Sequence, residues 1–169
     1  MYAPEQIQQF FKKAKGTANA PSPFSAHWST SLHGRLALII LCDQIARCIH
    51  RGTKNAFKFD HVAKHLAREI TNNSDLIKHY RHFEIVFLIS PLLHSEEVSD
   101  VSLSLSIMTQ LISKPASEIS EEVKSFFSDN IKFAKDHLEL LEKFGRYPHR
   151  NEVMGRASTN EEKEYLSNI

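Results

Sequence analysis

"RLALIILCDQIARCIHR", Arg35 to Arg51, is the stretch whose reading decides the fold. Leu36 to Cys42 form an unbroken apolar run of seven, and apolar residues return at Ile45, Ala46 and Ile49. A segment apolar almost all round, and too long for one strand, is a central helix. Asp43, Gln44 and Arg47 sit inside it, where polar groups are costly. Asp43 and Arg47 are four apart, so they share a helical face and can pair. Burying either charge without a partner costs several kcal/mol. Two readings follow: an ion pair that fixes helix packing, or one wall of a polar pocket.

Outward from this helix the same period recurs. Residues 4–15 place Ile7, Phe10, Phe11 and Ala14 at helical spacing, and a polar connection follows whose Phe24 and Trp28 pin it to the surface. "AFKFDHVAKHLAREI" puts Phe59, Val62, Ala63, Leu66, Ala67 and Ile70 on one stripe, opposite His61, Lys64, His65 and Arg68. "HYRHFEIVFLI" is a mostly buried helix that Pro91 is expected to stop. The spacing Val98–Val101–Leu105–Met108–Ile112 predicts a helix despite a brief Ser/Leu alternation, with Glu97 as a dipole or capping device at its start. A long helix is predicted over 119–143, ended at Gly145, and Ser158-x-x-Glu161 reads as a capping box for a short last helix. The expected fold is all-α: one domain over residues 1–169, about six to eight helices in antiparallel hairpins, with no internal repeat.

Composition narrows the function classes. Formal net charge is +1 over 169 residues, which disfavours a general nucleic-acid binder. The longest apolar run is too short to cross a bilayer, and the first residues lack the apolar stretch of a signal peptide, so no membrane partner and a cytoplasmic location are expected. Cys42 and Cys48 do not form a close metal-binding pair and are expected to be buried thiols.

Chemistry-bearing residues gather in three places. The first is Asp43, Gln44 and Arg47. In "PLLHSEE", His94 and Glu96 are two apart at a bend and can converge on one point. "FGRYPHRNEVMGRAST", Phe144 to Thr159, carries Arg146, His149, Arg150 and Arg156 with only one acid, Glu152. Guanidinium forks suit carboxylate or phosphate. The competing reading pairs these arginines with Asp43, Asp60, Glu96 and helix carbonyls. His137, alone on an apolar helix face, reads as a hydrogen-bonded core residue.

Three segments, "GRLALIILCDQIARCIHRGTKNAFKFD", "RHFEIVFLISPLLHSEE" and "HLELLEKFGRYPHRNEVMGRASTNEEKEYL", resemble the bacterial domain-of-unknown-function family 924 in the family's order, over about residues 34–166. The resemblance implies a tetratricopeptide-like helical fold and no reaction. It carries family positions onto Asp43, Gln44, Arg47, Arg51, Gly52, Phe57, Asp60, Pro91, His94, Ser95, Glu96, His137, Phe144 through Asn151, Gly155, Arg156, Ser158 and Thr159. Cys48 and Leu93 depart from the family pattern, and the N-terminal segment is short, without the family's Phe-Trp-Phe opening.

The leading expectation is a pocket for an anionic small molecule bearing phosphate or carboxylate. Arg47, Arg146, Arg150 and Arg156 hold the anion, and His94, Glu96, His149 and Asp43 are the candidate catalytic groups. One alternative is a scaffold for a protein partner, with the polar motifs purely structural. Another is a metal-dependent hydrolase using His94, Glu96, His137 or His149, although no His-Glu-x-x-His signature is present, and no metal ligand set or cofactor is assigned.

Overall fold

A computed structural model describes residues 28–168 of the chain. The predicted helix over 4–15 and the anchoring role of Phe24 lie outside the described residues. Helix α1 (Leu32–Ile39) runs through a π-helical segment (Ile40–Ile45) into α2 (Ala46–Ile49), with αR backbone across both joints. Ser31 caps α1 by accepting the N–H of Gly34 at 3.1 Å. A Cβ at Gly34 would run into the carbonyl oxygen of Trp28, so no larger residue fits there. Trp28 itself packs against the core.

A 3₁₀ turn (Lys54–Phe57) leads into α3 (Asp60–Thr71) and the short α4 (Ser74–Ile77). Helices α5 (His82–Leu93), α6 (Val98–Ile112) and α7 (Glu121–Phe144) follow. A second 3₁₀ turn (Pro148–Arg150), α8 (Asn151–Met154) and α9 (Asn160–Ser167) complete the chain. Among the described residues there is no strand, and the fold is all-α as the periodicity predicts.

The stripes explain the packing. Ala63, Leu66, Ala67 and Ile70 of α3 are buried, and the two alanines let α3 approach α1 and α5 closely. Helix α5 is the centre, with Leu88 and Leu92 fully buried, and it touches α1, α3, α6 and α7. Helices α6 and α7 pair along their length, and Gly145 ends α7 in the left-handed region at φ 68°. Such successive hairpins bury one face of each helix against the next.

Several local expectations are corrected. Pro91 does not stop α5; it lies inside the last turn, where burial of Leu92 and Leu93 offsets the forfeited hydrogen bond. Glu97 stands at the N-cap position of α6, as the dipole reading expects, but makes no capping bond and binds Lys64 and Arg68 of α3, beside the Arg68–Asp100 pair at 2.6 Å. The capping box of α9 is one residue later than Ser158-x-x-Glu161: Thr159 accepts from Glu162 N–H, and Glu162 accepts from Thr159 N–H. Cys42 is buried as expected, whereas Cys48 is exposed.

Candidate functional site

The π-helical segment places Asp43 where the bundle closes over it. A π turn takes more residues per revolution than an α turn, so the faces beyond it are offset from an α-helical wheel. Asp43 is fully buried. Its carboxylate accepts Gln44 Nε2 at 2.6 Å, Arg47 Nε at 3.1 Å and His94 Nδ1 at 2.7 Å. Burial pushes this carboxyl upward, but the bonds and charges of His94 and Arg47 win and hold it below the usual range. His94 reaches Asp43 from the C-cap of α5.

Arg47 has a second acid. Its Nη2 donates to Oδ2 of Asp60, the first residue of α3, at 2.7 Å. Asp60 Oδ1 is buried with no hydrogen-bond partner among the described residues. Burial raises the Asp60 carboxyl above its ordinary value, with Arg47 pulling the other way.

Arg150 completes this cluster, and among the described residues no carboxylate bonds it. The residue is 9% exposed, and its Nη1 donates to the carbonyl of His94 at 2.8 Å. Its guanidinium lies over the Phe57 ring at 5.1 Å and the Tyr147 ring at 4.5 Å, while Arg47 also lies over Phe57 at 5.1 Å. Burial lowers its hold on a proton, and the nearby Arg47 charge adds to this.

The other loop arginines end on acids. Arg156 meets Glu96 with both arms, at 2.6 and 2.9 Å, and Glu96 also accepts the backbone N–H of Tyr147. Arg146 forks onto Glu162 at 2.6 and 2.8 Å and reaches the carbonyl of Ala157. Tyr147 is fully buried, donates to the Leu93 carbonyl at 3.0 Å, and touches His137 on one side and His149 on another. His137 is a hydrogen-bonded core residue, its Nδ1 donating to the Phe133 carbonyl at 2.9 Å.

The structure therefore brings Asp43, Arg47, His94 and Arg150 together, with Asp60 and Phe57 among them. His94 and Glu96 diverge: one faces Asp43, the other Arg156 and Tyr147. Arg146 is directed toward α9, and His149 is exposed, stacked on Tyr147. Sequence reasoning missed the acid that Arg146 chooses, Glu162, and the rings of Phe57 and Tyr147 as guanidinium platforms. The Thr159-x-x-Glu162 spacing and the aromatic next to Arg146 were the available signals. Among the described residues no group of three or more His, Cys, Asp or Glu side chains is placed to hold a metal ion.

Residues 3–169 match the model of a bacterial protein family of unknown function, DUF924. The chain belongs to that family. The DUF924 match begins well before residue 34, so it takes in the N-terminal segment that the three-motif resemblance leaves out. A solved structure of a protein of unknown function from Agrobacterium tumefaciens is similar in fold, with a TM-score of 0.67 and 24% identity over 98% of this chain and 97% of that one. No curated protein matches the chain.

Proposed function

We propose that this DUF924 protein binds a small anion at Arg150, beside Arg47, Asp60 and the Phe57 ring. The observation that carries the reading is a buried guanidinium that no carboxylate among the described residues bonds, next to a second guanidinium and a carboxylate oxygen without a partner among those residues. A buried charge without a counter-ion is costly, and cation–π contact offsets only about 1–2 kcal/mol of that. A bound anion supplies the direct contact that Glu96 and Asp60, which act on Arg150 only through space, do not make. In this reading Arg146 and Arg156 hold the loop in place through Glu162 and Glu96, His94 and Asp43 orient the polar wall, and Glu96 and His149 stand behind it through Tyr147. These residues bind and orient a ligand; they assign no reaction.

A scaffold for a protein partner, on the tetratricopeptide-like reading of the hairpins, is the second reading. It is supported by aromatic exposure: Phe83 is 61%, Phe126 43% and Phe133 52% exposed.

Thermal unfolding with inorganic phosphate and acetate tests the first reading. A ligand at a hundred times its dissociation constant adds about 2.7 kcal/mol of stability. The expected result is a rise in midpoint that grows with the logarithm of anion concentration in the wild type and is absent in Arg150→Met. A wild type that responds to neither anion overturns the reading.

A further inference from the structure

Asp43 is held from three sides, and one of its donors has a free end. The carboxylate accepts Gln44 Nε2 at 2.6 Å and Arg47 Nε at 3.1 Å, and Arg47 is itself fixed by Asp60 at 2.7 Å. Onto this immobile acceptor His94 brings Nδ1, 2.7 Å from one oxygen and 3.0 Å from the other. Burial works against ionisation of Asp43, but His94 and Arg47 outweigh it, so the carboxylate only accepts. Nδ1 therefore carries the proton, and in the neutral ring Nε2 carries the lone pair.

That second nitrogen is open. The His94 side chain is 26% exposed, and Nε2 bonds nothing among the described residues without itself being buried. His137 differs: it gives Nδ1 to the Phe133 carbonyl and packs against the Phe133 and Tyr147 rings. An acid that holds the proton-bearing nitrogen and fixes the ring is the arrangement that turns an imidazole into an effective base or nucleophile.

We infer that His94 Nε2 is a nucleophile that accepts an acyl group from an activated ester or anhydride, with Asp43 as its positioning residue. The electrophile follows from the chemistry present. An acyl carbonyl is uncharged, so it meets no repulsion from Asp43, and an activated leaving group departs as a stable anion without a second acid to protonate it. Nε2 attacks the carbonyl carbon, the bond from that carbon to the leaving group breaks, and the leaving group takes the electron pair. The Nδ1 proton stays in its bond to Asp43, whose charge stabilises the acylated imidazolium. This activity is independent of the anion site at Arg150, and either can fail without the other.

Diethyl pyrocarbonate, an anhydride whose acyl group stays on histidine, tests it on the full chain at mildly alkaline pH. Mass spectrometry follows each histidine separately. Exposure alone predicts slower acylation of His94 than of His65, at 26% against 72% side-chain exposure. Activation by Asp43 predicts the reverse order, with His94 faster than His65 by about tenfold or more. Asp43→Asn is expected to bring His94 down to the His65 rate or below it, with His65 unchanged as the reference. If Asp43→Asn does not fold, the wild-type ratio decides alone. Acylation of His94 no faster than that of His65 in the wild type overturns the inference and leaves the Asp43–His94 pair a structural lock. An unchanged ratio in folded Asp43→Asn overturns the role of Asp43.

Discussion

Glu96 and Arg156, sixty residues apart, meet fork to fork at 2.6 and 2.9 Å, and this pair ties the C-terminal loop to the bend after α5. Glu96 also receives Tyr147 N–H at 2.9 Å, while Arg156 Nη2 donates back to Tyr147 O at 3.2 Å. The two charged residues thus hold the backbone of Tyr147 from both sides, and Tyr147 in turn supports Arg150.

Breaking that pair strands a charge that is about three-quarters buried in each partner. Glu96→Ala and Arg156→Ala are each expected to cost about 2 kcal/mol, between the ranges for exposed and buried pairs. The double variant should cost little more than either single one, which shows as a coupling energy in a double-mutant cycle. Urea unfolding measures it, and additive costs would mean the contact contributes nothing.

Arg150 should behave in the opposite way. Arg150→Met removes a desolvated charge that has no acid on it and keeps an unbranched side chain between Phe57 and Tyr147. Lost cation–π contact and the lost bond to the His94 carbonyl oppose relieved desolvation, so stability should stay within about 1 kcal/mol of the wild type. The measurement is the urea midpoint at constant slope. A loss comparable with that of Arg156→Ala would make Arg150 a structural lock.

Stability should fall with acid in two stages. Burial holds the folded pKa of His137 below its ordinary 6.5, so the unfolded chain takes up that proton first. Stability from this group is complete above about 6.5 and declines as pH falls through and below it. Glu96 is lowered from 4.5, where Arg156 and Tyr147 overcome burial, and Arg146 holds Glu162 down at about 2. Their contribution is present above about 4.5 and lost as pH falls toward 2. Asp60, raised by burial, has the reverse sign: its contribution exists below 3.8 and disappears as pH rises through its higher folded value. Urea midpoints across this range check the profile, and His137→Gln should weaken only the upper stage, which His149, also lowered from 6.5 by burial, shares.

The two thiols should separate cleanly. Cys48 is exposed, while burial and the charges of Asp43 and Asp60 push the Cys42 thiol up to about 12. A disulfide reagent at neutral pH is expected to titrate one thiol in the native protein and both in denaturant, because only thiolate reacts. Fast native reaction at both would contradict the burial of Cys42.

Legibility followed the range of the interaction. The Ala63–Leu66–Ala67–Ile70 stripe, the extent of α7 and the αL stop at Gly145 were readable because each depends on residues within a turn or two. The π-helical segment was not, since the spacing of apolar residues in "LALIILC" is the same for either helix when every face is apolar. Pro91 is not a local stop signal here, because the burial of Leu92 and Leu93 that offsets its cost comes from tertiary packing. The candidate site was legible as an inventory: Asp43, Arg47, His94 and Arg150 were all visible as polar groups in costly places.

What the sequence by itself determined is therefore the helical class, most of the buried faces and the set of charges needing partners. The pairing was decided only in three dimensions. Arg156 took Glu96 and Arg146 took Glu162, which left Arg150 with two rings and a carbonyl. Helical periodicity reports which side chains share a face of one element. A guanidinium's choice among acids depends on through-space distance and on desolvation, and both are set when α3, α5 and the C-terminal loop pack together.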